Sequence, residues 1–306
     1  MAVSRAFLLV GALIYGAALL HDSLAQAPKG SEQAGAIQKK RTAESQKPAA
    51  KEAMPAPPVL WIERETISNG KMETHNGIVR QILRQYERQH ITFRALGMTQ
   101  ELPDANEVMF LIHFDSFSEI DEFAKAFATA PEDFRKTMQS LEAQEDELHA
   151  KKQSMLAAFR PDLSYRADSA AVATARMTWM CQFTVPVGHI PEYEADAKFA
   201  IAVSEKAKLD QHFLVYQTVA GAESQTFIVL RPLKSFAEWD GAGVAAHKVM
   251  ASLDEAGKRR LAHIWKDQAV QGPGESVERL YFLRPDLSQT SDKFALFDPS
   301  FWRPEP

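Results

Sequence analysis

Apolar residues recur at every second position through one stretch of the chain. Met177, Trp179, Cys181, Phe183 and Val185 are apolar, while Thr178, Gln182 and Thr184 between them are polar. A period of two predicts a strand with one face on a core. The stretch VLWIERETI, from Val59, reads as a second such strand, and each is followed by a glycine turn. A different period then takes over. Met72, His75, Val79, Ile82, Leu83 and Tyr86 fall on one face of a helix, and so do Ile190, Tyr193, Ala197, Ala200, Ile201 and Ser204. Two short strands come next in each case, FRALGMT with EVMFLIHF and FLVYQTV with TFIVL, separated by turn residues such as Pro103, Asp104 and Gly221. Ser116 with Glu119, and Ser235 with Glu238, have the S-x-x-E spacing of a capping box and open another helix. A long helical stretch follows in each half, carrying His149 in the first and His263 in the second. The last element is SMLAAFRPDLS or ERLYFLRPDLS, read as a strand in both halves.

The halves are copies of one unit. RPDLS occurs at Arg160 and again at Arg284, SFSEID at Ser116 is matched by SFAEWD at Ser235, and WIERETISNG at Trp61 by WMCQFTVPVG at Trp179. The three matches keep their order at offsets of 118, 119 and 124 residues, and GPGES at Gly272 supplies the growth in offset. The units span 58–165 and 175–290, with a tail at 291–306.

Strand, helix, strand, strand, helix, strand is the ferredoxin-like order. One such sheet leaves a face uncovered, so two units gain by closing their open faces together. The pattern resembles the dimeric α/β-barrel superfamily, including its NIPSNAP-like and antibiotic-biosynthesis-monooxygenase-like members, over about residues 58–290. The fold expected is α+β: two tandem ferredoxin-like units in one pseudo-dimeric barrel. The resemblance implies a choice of activities (cofactor-free oxygenation, haem chemistry, isomerisation, plain ligand binding) and selects none of them. Three functions stay open: a binder of a small, largely apolar ligand in the barrel chamber, a monooxygenase-like or haem-dependent oxidoreductase, and a structural protein whose barrel is filled by side chains.

The first residues lead to the expectation of an exported chain. Arg5 is followed by an apolar run of fifteen residues and then by Ser23, Ala25 and Ala27. This is the layout of a signal peptide, residues 1–25, and at roughly 22 Å the run falls short of a ~30 Å hydrocarbon core. A periplasmic or secreted protein is expected, with no membrane span after cleavage. Residues 26–57 carry no aromatic side chain and read as a disordered linker. The single cysteine, Cys181, cannot form an internal disulfide, and a net charge of −5 gives no reason to expect nucleic acid. A barrel closed within one chain makes a monomer sufficient.

Candidate chemistry is sparse. Alternation puts Arg64 with Gln182 in the barrel chamber, as an anchor for an anion or carbonyl, but Glu63 and Glu65 would then face the helices. The face assignment of the first copy therefore stays open, and charged strand ends exposed at the barrel rim are the alternative to an anchor. His113 and Arg231, near the ends of the third strands, complete the ligand-binding candidates, and His113 is a possible general base. His75, His149 and His263 are the candidate axial ligands of a haem, with a hydrogen-bonded core role as the alternative. No CxxCH is present, and neither HExxH nor a close His–carboxylate spacing specifies a metal. GAGVAA at Gly241 follows a helix instead of a strand, so it is no dinucleotide fingerprint, and Cys181 reads as a buried, inert thiol.

Overall fold

The computed structural model describes residues 54–100, 106–223, 225–271 and 276–304. The first unit runs β1 (Val59–Ile67), α1 (Met72–Arg88), β2 (Ala95–Thr99), β3 (Glu107–Phe114), α2 (Phe117–Thr129), α3 (Glu132–Asp146) and β4 (His149–Phe159). A short helix, α4 (Ser169–Ala173), leads to the second unit: β5 (Met177–Thr184), α5 (Ile190–Lys206), β6 (Leu214–Ala220) and β7 (Thr226–Leu233), then α6 (Ala237–Asp240), α7 (Ala242–Ser252), α8 (Glu255–Gln271) and β8 (Ser276–Gln289). Two final helices are α9 (Asp292–Ala295) and α10 (Pro299–Trp302).

The eight strands close into one barrel in the order β1-β3-β2-β8-β5-β7-β6-β4. Each unit contributes a sheet in the ferredoxin-like order, β4-β1-β3-β2 and β8-β5-β7-β6. The joints are the antiparallel pairs β2–β8 and β4–β6. The protein is thus a dimeric α/β barrel made by one chain, and the duplication supplies its pseudo-twofold. Gly70 and Gly188, 118 residues apart, both have positive φ, +75° and +89°, which lets the chain turn from the first strand into the first helix of each unit.

Side-chain alternation divides the core into layers. Leu60, Ile62, Met98, Met109, Leu111, Met155, Met180, Tyr216, Ile228 and Tyr281 form one buried cluster inside the barrel. Phe183, Phe227, Val229, Leu261 and Ile264 pack between the second sheet and its helices. In the first unit the corresponding layer holds Ile67, Val79, Phe110 and Phe114, with Tyr86, Phe134 and Met138 beyond it.

Several local readings change. His149 is the first residue of β4 and not part of a helix, because α3 ends at Asp146. RPDLS folds in two ways: Pro161–Leu163 form a 3-10 turn in the first unit, whereas β8 runs through its copy to Gln289. The capping box forms at Ser116, whose Oγ accepts from the Glu119 amide, while Glu119 accepts from the amide of Asp115. At Ser235 the serine side chain takes no part, and Glu238 accepts from the Lys234 amide. The last linker residues and the tail are structural. Ala56, Phe294 and Trp302 join the barrel-interior cluster, Trp302 Nε1 donates to Ala173 O at 2.7 Å, and Tyr216 donates to Pro57 O at 3.1 Å. Residues 1–53, the turn at Pro103 and Asp104, and the insertion at Gly272 lie outside the described residues. Among the described residues no helix is long and apolar enough to cross a membrane.

Candidate functional site

The barrel chamber holds a closed polar network. Arg64 and Gln182 do meet there, with Arg64 Nη1 donating to Gln182 Oε1 at 3.3 Å. The guanidinium is occupied, however, by a two-pronged bond to Glu107: Nε to Oε1 at 3.2 Å and Nη2 to Oε2 at 2.9 Å. Tyr281 donates its hydroxyl to the same carboxylate. Arg64 is therefore the countercharge of Glu107 and not a free anchor for an anion.

The other candidates stand apart from this network: His113 keeps the chamber-side parity of Met109 and Leu111, and Arg231 does not. His113 stands four residues along β3 from Met109, the register partner of Arg64, about 13 Å away. It lines a surface cavity with Arg94, Phe114 and Glu119, and burial together with Arg94 lowers its pKa to about 4, so its ring is neutral. Arg231 pairs with Trp179 on the helix-facing side of β7. Its guanidinium packs over Phe213 at 5.6 Å, and burial lowers its pKa. The alternation that puts Ile228 and Leu230 inside the barrel puts Arg231 outside it.

The expected haem ligands divide as well. His263 is exposed on α8. His75 and His149 come together, but in a cluster of carboxylates on the outer face of the first sheet. Glu63 and Glu65 sit on that outer face of β1, as strict alternation with Ile62 and Arg64 requires. α1 lays His75 over them, and the last turn of α3 brings Glu145. A β-bulge opposite Thr66 and Ile67 pairs Ile67 directly with His149. The bulge skips Ala150 and turns His149 to the face shared by Glu65 and Lys152.

The resulting geometry is tight. His75 Nε2 lies 3.0 Å from Glu65 Oε2 and 3.4 Å from Glu145 Oε1, and His149 Nε2 lies 3.5 Å from Glu65 Oε2. Lys152 Nζ holds the other oxygen of Glu65 at 3.0 Å. His75 and Glu65 are 0 % and 1 % exposed. Burial alone would lower the pKa of His75, but the bonds to Glu145 and Glu65 outweigh it and hold the imidazole near 9. Burial likewise works against ionisation of Glu65, yet His149, His75 and Lys152 keep its carboxyl far below the usual carboxylate range. The haem expectation does not fit this surrounding: an axial histidine must offer Nε2 to an open slot, whereas both Nε2 atoms face carboxylates.

The cluster closes one end of a cavity of about 490 Å³ between the outer face of the first sheet and helices α1, α2 and α3. Trp61, Val79, Tyr86, Phe93, Phe110 and Phe123 are among its walls, with Glu63, Glu142 and Lys152 at the polar end. Burial raises the pKa of Glu63 and of Glu142. In the second unit Cys181 and Phe183 stand where Glu63 and Glu65 stand in the first, and Tyr193 stands where His75 does. Cys181 is buried, and burial pushes its thiol well up, which fits an inert residue. Gly241–Ala246 lie in or beside α7, as the sequence pattern required.

Neither a known protein family nor a curated protein matches the chain. Among solved structures it is similar to a monooxygenase-like protein from Fusobacterium nucleatum, with 10% identity, a TM-score of 0.47 and coverage of 75% of this chain and 94% of that one. It is similar to chlorite dismutase from Candidatus Nitrospira defluvii, with 11% identity, a TM-score of 0.43 and coverage of 79% and 95%. An uncharacterised NIPSNAP domain protein from Burkholderia xenovorans is 19% identical, with a TM-score of 0.26, covering 32% of this chain and 90% of that one. The dimeric α/β-barrel architecture assigned above rests on the strand order itself.

Proposed function

We propose that this is an exported protein that binds a small, largely apolar molecule, not in the barrel chamber but in the cavity on the outside of the first unit. The single observation behind this reading is the contrast between two spaces. The barrel interior is occupied by Met98, Met109, Met155, Met180 and Tyr281, each buried to within 2 %, whereas the 490 Å³ cavity walled by Trp61, Tyr86, Phe93 and Phe123 stands open. A concave apolar site with a few convergent polar groups suits a small ligand. A head group that donates hydrogen bonds would meet Glu63 and Glu142 at the polar end. The signal-peptide layout supports export to the periplasm, and nothing in the reading requires nucleic acid or a second subunit.

The test is binding of a fluorescent apolar probe, followed by native mass spectrometry of protein purified from a periplasm. Ala124 lines the cavity and is exposed, so Ala124→Trp fills the space without disturbing the core. Probe affinity falls at least about tenfold in that variant, an effect of about 1.4 kcal/mol. Unchanged affinity in Ala124→Trp would move the binding site away from this cavity.

A further inference from the structure

We infer that Glu65, His75, Glu145 and His149 form a binding site for one divalent transition-metal ion. One donor atom from each lies within 4.8 Å of the other three. A tetrahedral shell of nitrogen and oxygen at 2.0–2.1 Å has edges of about 3.3 Å. The contacts of 3.0, 3.4 and 3.5 Å among His75, Glu65, Glu145 and His149 already approach those edges. The widest separation closes with about 1.5 Å of side-chain adjustment.

Three independent features point to a cation. First, the outer nitrogens are held by oxygen acceptors: His75 Nδ1 lies 3.3 Å from Asn76 Oδ1 and His149 Nδ1 lies 3.5 Å from Asp146 Oδ1. A proton kept on each Nδ1 leaves Nε2 as the atom that faces the cluster, and a metal would take the place of the Nε2 proton that His75 shares with Glu65. Second, His149 is 6 % exposed and its Nε2 is buried without a hydrogen-bond partner. A buried polar atom without a hydrogen bond, 3.5 Å from the Glu65 carboxylate, is costly unless something fills the gap. Third, Glu142, Glu145 and Asp146 crowd the C-terminal end of α3, whose last turn holds no basic residue. Carboxylates there oppose the helix dipole, and a cation reverses that penalty.

The donor set narrows the ion. Two imidazoles and two carboxylates suit zinc and its divalent neighbours over calcium or magnesium, which take oxygen alone, and over copper(I), which takes sulfur. Lys152 holds Oε1 of Glu65, so Glu65 binds through Oε2 only. The inference is independent of any ligand in the neighbouring cavity, and the titration below uses none.

The experiment is calorimetric titration of Zn²⁺ into the chelator-treated wild-type chain, with the absorbance of the Co²⁺ form as a second readout. One ion per chain is expected, and His149→Gln weakens it by at least about 100-fold. Asp146 is 67 % exposed, so Asp146→Ala removes the acceptor without opening the core. It weakens binding about tenfold by releasing Nδ1 of His149, and alters the Co²⁺ spectrum. His189→Gln, at an exposed histidine paired with Glu192, leaves the affinity unchanged. Absence of binding at ~100 µM Zn²⁺, roughly −5.5 kcal/mol, overturns the site. So does binding that His189→Gln removes, or binding that Asp146→Ala leaves unaltered.

Discussion

Glu65 and His75 meet at 3.0 Å in a fully buried ion pair, and 118 residues later the same two positions hold Phe183 and Tyr193, whose rings pack edge to face at 5.5 Å. One backbone arrangement thus supports two chemistries. The second unit shows that the fold needs no charge there. Removing one member of a buried ion pair costs about 3–5 kcal/mol, whereas replacing both by apolar groups is often neutral. With chelator present, Glu65→Phe and His75→Tyr each lower stability by about 3 kcal/mol. The double variant loses at least about 2 kcal/mol less than their sum. Urea denaturation of the four proteins in the cycle checks this, and strict additivity would show that the pair is not coupled.

Arg64 inside the barrel predicts a different asymmetry. Its guanidinium is the countercharge of Glu107, which also accepts from Tyr281. Arg64→Met leaves a buried carboxylate with one neutral donor and destabilises by about 3 kcal/mol. Arg64→Met with Glu107→Gln removes both charges and recovers at least about 1 kcal/mol of that loss. Because the apolar cavity lies on the other face of β1, both variants bind the apolar probe like wild type. A loss of probe binding that exceeds the loss of folded protein would return the ligand to the chamber.

Much of this architecture could be read from periodicity. The alternation of Met177 to Val185 fixed the faces of β5, and the duplicated motifs located β1 and the pseudo-twofold. Arg64 and Gln182 were brought together by the same rule. The ionic cluster was not legible, because its four donors come from four elements and are separated by 10, 70 and 4 residues. His149 depended on two local events that no period announces: the end of α3 at Asp146 and a one-residue bulge in β4. One signal was present. Glu63, Glu65 and His75 fall on the helix-facing layer where the second copy has Cys181, Phe183 and Tyr193, and three polar residues in a layer built for packing mark an added function. Arg231 stands apart for the converse reason: its alternation with Ile228 and Leu230 places it on the helix-facing side, away from the chamber.

The end of the chain carries fold stability. Trp302 is 3 % exposed, packs against Phe294 and Phe301, and hydrogen-bonds Ala173 O through Nε1. Trp302→Ala leaves a cavity and an unpaired carbonyl, a loss of about 3–5 kcal/mol. Trp302→Phe keeps most of the packing but not the bond and costs about 1–2 kcal/mol. Thermal melts order the three proteins accordingly. Equal melting temperatures for Trp302→Ala and wild type would show that the last two helices do not close the barrel.

His113 sets an acid limit on stability. Burial and the neighbouring Arg94 depress its folded-state pKa to about 4, partly opposed by Asp115, from an ordinary value of 6.5. The unfolded chain therefore binds a proton at His113 before the folded chain does. Its contribution is fully present above pH 6.5, falls as pH drops below that value, and is lost by about pH 4. A difference of that size corresponds to at most about 3 kcal/mol. His113→Asn removes the titrating group at similar polarity. The slope of unfolding free energy against pH between 6.5 and 4 becomes shallower in the variant by nearly one proton, while stability at pH 7.5 changes little. Parallel slopes for the two proteins would mean that His113 is protonated in the folded state and that its ring is open to water at the strand end.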